Sequence, residues 1–235
     1  MPRPSMVTAS DLRSFMMATY FALRLMIAAG ALLLPVVLVI WAAVSDDVDL
    51  QGSISGFYYT DARDVFVGIV VAVGVALIAY RGYSVGENWL LNLAGVLAIV
   101  VALVPTTPPG DGGMNLVHTA AAIGFFLVIA LSIVLYGRLT LSLLDPAEAQ
   151  RFSVAYWILT ALLVVLPILA AVIAHRTGPS TALFWIETAA LIAFVAFWVT
   201  KTAELWRSDA DQRICAGTVA CDATGQLQAT DAGRS

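Results

Sequence analysis

Three ionisable side chains stand inside or at the edge of long apolar runs: Asp64 before VFVGIVVAVGVALIAY, His118 at the start of LVHTAAAIGFFLVIALSIVL, and Glu187 within TALFWIETAALIAFVAFW. A charge at the centre of a bilayer costs roughly 2.5–3.5 kcal/mol on insertion scales, so each of the three needs a partner or a task. Two carboxylates and an imidazole brought together are a donor set for a divalent metal such as zinc, whose bound water becomes a nucleophile near neutral pH. The same groups can relay a proton. Ser53, Ser55, Tyr59, Asp61 and His175 lie close enough to the ends of these runs to join them.

Each residue also has a purely structural reading. Asp61 can cap a helix, and Asp64 can be a first-turn carboxylate facing the positive end of the helix dipole. His118 can bond a neighbouring carbonyl. Glu187 can be held neutral or paired with Arg63 or Arg176. The segment Gly52-Ser53-Ile54-Ser55-Gly56 is not a nucleophile elbow, because Ile54 occupies the central position and no strand precedes it. The acidic run from Ser45 to Asp49 reads as a solvated loop.

The elements that position these residues follow from composition. The chain has 235 residues, 60% hydrophobic and 12% charged, where a soluble domain carries about a quarter charged residues. It reads as a membrane protein. A net charge of −4 without a basic cluster argues against a nucleic-acid partner. Cys215 and Cys221 have no second pair or nearby histidine to form a zinc set.

Apolar runs near 22–44, 62–80, 88–106, 116–137, 153–174 and 181–203 each approach the ~20 residues that span a bilayer as a helix. None alternates as a membrane β-strand would. The sequence therefore predicts an all-α, polytopic transmembrane bundle of six spans. Residues 1–21 form a cytoplasmic N-terminal segment, either an interfacial helix or a continuation of the first span, and 204–235 a disordered cytoplasmic tail. The first run is too long for a signal-peptide core and reads as an uncleaved anchor.

With alternating helices, Arg63 and Arg176 fall on one side and every other lysine and arginine on the opposite side. That bias puts both termini in the cytoplasm, in a bacterial inner membrane. Asp64 and His118 then lie within about 5 Å of the outer boundary and Glu187 near 9 Å, at ~1.5 Å per residue. Gly68, Ala72 and Ala76 on one face of the second span, and Asn92, Gly95 and Ala98 on the third, predict close helix packing. Pro105 and Pro167 are expected near outer span ends.

The blocks YYTDARDVFVG, AYRGY, NLAGVLAIVVALVPT, His118 and FWIETAALIAFVAFWVTK resemble a family of bacterial polytopic membrane proteins of no assigned activity, over about Ser53 to Lys201. That resemblance implies architecture only. The outer-side serine, aspartate and histidine are more remotely similar to the CREST membrane hydrolases, which implies zinc. That superfamily has seven spans and paired histidines in the last, where this chain has Glu187 alone.

Three functions compete. One is a non-catalytic membrane or lipid-binding component. The second is a metal-dependent, membrane-embedded hydrolase of a lipid, with Asp64, His118 and Glu187 as metal ligands and catalytic groups. The third is a proton-coupled transporter in which Glu187 titrates. Membrane lipids are the expected partners.

Overall fold

A computed structural model describes residues 8–46, 48–108, 115–221 and 227–230. Arg3, Asp47, Arg234 and most of the loop around 107–115 lie outside the described residues. Six long helices dominate: α1 (Ala9–Val44), α2 (Arg63–Ala79), α3 (Val85–Leu103), α4 (Leu116–Leu135), α5 (Pro146–Thr177) and α6 (Thr181–Ser208). A short α7 (Ala210–Cys215) and an antiparallel ribbon of β1 (Val219–Cys221) and β2 (Leu227–Ala229) follow. Five helices, α1 and α3 to α6, are long and apolar enough to cross a membrane. The chain is built as a multi-pass membrane protein. With 17 residues, or about 26 Å, α2 is the short member of the set.

The helices begin where polar side chains satisfy their first amides. Thr8 and Asp11 form a capping box on α1, and Ser84, Asn115 and Ser180 cap α3, α4 and α6. Asp61 does not cap α2: Ala62 holds that position without a side-chain bond, and Asp61 is exposed. Nor does α1 break near residue 21. It runs unbroken from Ala9, as the continuation of the first span rather than a separate interfacial helix.

Each helix packs on its neighbours in sequence, and α1 closes on α6. The result is a ring of six helices. Its outer surface presents Leu32, Leu33, Val36 and Ile40 on α1, and Val165, Ile168, Leu169 and Val172 on α5, a face suited to lipid rather than water. The closest helix contact joins α2 to α3 at Gly74 and Gly95: a Cβ on Gly95 would lie 2.5 Å from the Gly74 carbonyl oxygen. This corrects the expected α2 face, since Gly68 and Ala72 are exposed and only Ala76 is buried. Gly95 and Ala98 are buried as their spacing predicts.

Aromatic side chains fill one half of the ring. Tyr80 meets Trp198 edge-on at 5.2 Å between centroids, Phe125 meets Phe194 at 5.3 Å, and Phe197 meets Trp198 at 5.4 Å. The chain after residue 204 is not a disordered tail throughout. Glu204, Leu205 and Ser208 are buried within α6, Ala210 is buried in α7, and α7 packs on α1.

Candidate functional site

At one end of the ring the α1–α2, α3–α4 and α5–α6 connections are tied together. Ser180 N–H donates to the Gly52 carbonyl at 3.0 Å, and the Tyr59 hydroxyl donates to the Thr106 carbonyl at 2.6 Å. Glycine is required at position 52 by this approach, because a Cβ there would lie 2.6 Å from Ser180 N and 2.7 Å from the Pro179 carbonyl carbon. The GSISG segment is thereby pressed over the start of α6. Its turn is closed by Ser53, whose buried Oγ accepts from Gly56 N–H at 3.0 Å.

That placement aims the Ile54 N–H at Glu187, whose Oε2 accepts it at 2.6 Å. Glu187 is thus held by a backbone amide and not by an arginine; Arg63 instead donates to the Tyr58 hydroxyl and stacks on its ring. His118 sits in the first turn of α4, where Asn115 Oδ1 accepts from its backbone N–H at 3.2 Å. Its Nδ1 lies 2.7 Å from the Val104 carbonyl oxygen, just past the end of α3. A carbonyl only accepts, so Nδ1 carries a proton, and in the neutral tautomer this leaves Nε2 as an acceptor.

Glu187 and His118 line the same cavity, of about 280 Å3, inside the ring. Ser53, Ser55, Thr106, Thr107 and Thr119 add polar groups around them at the loop end, which we term the mouth. On α6 the lining runs from Leu183 to Phe194, about 16 Å along the axis. Small residues, among them Gly30, Ala31, Ala98, Ala122, Ala171 and Ala190, leave this space open where the other half of the ring carries aromatics. Pro167 lies well inside α5 and lines the cavity rather than marking a span end. Among the described residues no lysine or arginine lines it.

Asp64 does not join them. It is exposed at the first turn of α2 and does not line the cavity. His175 and Asp61 are also exposed outside it. Among the described residues no three His, Cys, Asp or Glu side chains are grouped closely enough to hold a metal ion. The expected donor set of Asp64, His118 and Glu187 is therefore not assembled.

A second polar cluster closes the opposite end of the ring. Lys201 Nζ donates to Glu204 Oε2 and Thr140 Oγ1, both at 2.7 Å, and to the Gly137 carbonyl at 3.2 Å. Glu204 Oε2 also accepts from Thr140 at 3.0 Å and Tyr156 at 3.2 Å, while its Oε1 is buried without a partner. Nearby, Arg24 binds Asp211 of α7 with both terminal nitrogens, and the Tyr83 hydroxyl donates to Asp211 at 2.5 Å. Burial pushes the Tyr83 phenol well above its ordinary pKa, reinforced by Tyr80 and Asp211. Glu87 is buried too, accepting from Tyr83 N–H at 2.7 Å.

Sequence reasoning did not single out Glu87, Glu204 or Asp211; the last two fell within the segment 204–235 expected to be a disordered tail. Two local patterns point to the first two: Ser84-Val-Gly-Glu87, an N-cap signature, and Lys201 with Glu204 one turn apart. No protein-family model, curated protein or solved structure matches the chain.

Proposed function

We propose that this protein is a non-catalytic, amphiphile-binding component of the membrane, which takes a hydrocarbon chain into the ring and holds the polar head at the mouth. The observation that carries this reading is one elongated cavity, apolar along its length, with Glu187 and His118 as its ionisable lining residues. At about 280 Å3 it stands at the lower edge of small-ligand pockets, which run from about 300 Å3 upward and are mostly apolar with a few placed polar groups. Membrane lipids or lipid-like molecules are the natural occupants.

The six-span arrangement in a bacterial inner membrane, with both termini in the cytoplasm, belongs to the same proposal. It is supported by α2, which packs between α1 and α3 as a ring member, and by Arg81, Arg138, Arg151 and Arg207 at the end opposite the mouth.

The competing activities have less support. A metal-dependent hydrolase needs a third ligand beside His118 and Glu187, and Asp64 does not reach them. Proton-coupled transport would carry a proton from Glu187 to the Lys201 end, about 21 Å along α6, past the packed rings of Phe194 and Trp198.

The test is retention of ligand. Protein purified in a mild detergent should carry extractable amphiphile, and Ala122→Phe or Ala171→Phe, which fill the cavity from two helices, should abolish its retention. Equal retention by both filled variants with the helical fold intact would refute the proposal.

A further inference from the structure

The polar end of the cavity restricts the head group. One oxygen of Glu187 is taken by the Ile54 amide, and among the described residues none donates to the other. His118 donates its Nδ1–H to the Val104 carbonyl, which in the neutral tautomer leaves Nε2 as an acceptor. The serine and threonine hydroxyls of the lining can donate or accept. What is missing among the described residues is a fixed cation: no lysine or arginine of theirs lines the space, Arg63 is turned onto Tyr58, and Arg176 and His175 are exposed. An anionic head would enter beside a carboxylate and an imidazole acceptor with no counter-charge. Burying an unpaired charge is far more costly than burying a hydrogen-bonded neutral group.

We infer that the occupant is a single-chain amphiphile whose head donates hydrogen bonds and bears no negative charge, an ammonium or a hydroxyl rather than a carboxylate or phosphate. The inference rests on the proposed amphiphile-binding role and specifies its ligand. Glu187 accepts from the head, with its orientation fixed by Ile54, and His118 offers a second acceptor. The hydrocarbon chain lies along α4 and α6 toward Phe126 and Phe194. An ammonium gains most, since it supplies the positive charge that the lining lacks.

Matched dodecyl probes with a diazirine at the chain terminus and an amine, alcohol or carboxylate head separate the outcomes. Each is incorporated at equal content into nanodiscs containing the full-length protein, photolysed, and the adducts mapped by peptide mass spectrometry. The amine and alcohol probes should label peptides covering 118–126 and 183–194, and the carboxylate probe roughly ten-fold less, the factor expected for loss of a charge-assisted hydrogen bond. Glu187→Gln should lower amine labelling about ten-fold and alcohol labelling much less. Labelling by the carboxylate probe equal to or above that by the amine would overturn the head-group inference while leaving the amphiphile-binding role intact. Absence of cavity labelling by all three would overturn both. The comparison among heads uses the unsubstituted protein, so it stands even where Glu187→Gln fails to fold.

Discussion

Removing one partner of the Lys201–Glu204 pair should destabilise the bundle more than removing both. The side chains are 4% and 0% exposed and 2.7 Å apart, so solvent screens them little. Glu204 Oε2 accepts from Lys201, Thr140 and Tyr156, while Lys201 Nζ donates to Glu204, Thr140 and the Gly137 carbonyl. Substituting Glu204→Gln leaves the ammonium without its anion and weakens two hydroxyl donors. Substituting Lys201→Met leaves the carboxylate bare, with Oε1 already unpartnered. Breaking a buried pair from one side costs about 3–5 kcal/mol, whereas replacing both ions by apolar residues of similar volume is often close to neutral. Each single variant should therefore lose about 3–5 kcal/mol, and Lys201→Met/Glu204→Met clearly less than the sum, with a coupling of at least about 2 kcal/mol. Reversible unfolding in mixed micelles, followed by far-ultraviolet circular dichroism, measures the cycle. Single variants within about 1 kcal/mol of the parent, or a double variant equal to their sum, would refute the reasoning.

Other expectations follow from close approaches and from the clasp of α7. Gly95→Ala forces a Cβ to within 2.5 Å of the Gly74 carbonyl oxygen and 2.7 Å of Ile78, and should cost about 1–3 kcal/mol in the same unfolding assay. Gly68→Ala, with nothing within 4 Å of the new Cβ, should be neutral or stabilising by up to about 1 kcal/mol. Gly52→Ala should lift the GSISG segment from Ser180, seen as faster hydrogen exchange at the Ile54 amide and lower amphiphile retention. Asp211→Ala removes the ion pair to Arg24 and the bond from Tyr83; trypsin should cut at Arg213 roughly ten-fold faster or more, with the helix content of the ring unchanged.

The run lengths that span a bilayer are visible in one dimension, so the long helices were legible from residue counting, as was the nearness of His118 and Glu187 to the same end of the ring. Rotation was not. Asp64 precedes the buried Phe66 by two residues, about 200° around a helix, and Gly68 follows it by two. Both therefore face away from the interior that Phe66 enters, although their depth and spacing suggested otherwise. The short positions on α2 that do face inward, Val73, Gly74, Ala76 and Leu77, are hidden in a run that is apolar on every side. The burial of the second cluster was illegible for a different reason. Charges near span ends are normally solvated, and only the docking of α7 against α1 and the placement of the α4–α5 turn beneath Lys201 take these from water.

The ring itself explains why a cavity must be filled or occupied. Six cylinders touching in a closed circle leave a central hole as wide as one cylinder, and helices packing at about 8–10 Å leave a hole of similar width. Side chains of ordinary size do not close it unaided. In one half of this protein Tyr80, Tyr156, Phe194, Phe197 and Trp198 close it, and the Lys201–Glu204 and Arg24–Asp211 pairs lie beyond. In the other half glycines and alanines from α1, α3, α4, α5 and α6 stand between the larger lining residues, such as Phe66, Phe125 and Phe126, and leave the space between them open. Replacing those small residues by Leu or Phe would remove a void that otherwise costs ~24 cal/mol per Å3, and the chain does so at one end only. The asymmetry fits a blind pocket better than a conduit, and it is the shape that the proposed ligand requires: its hydrocarbon would complete the core and its head would stay at the mouth.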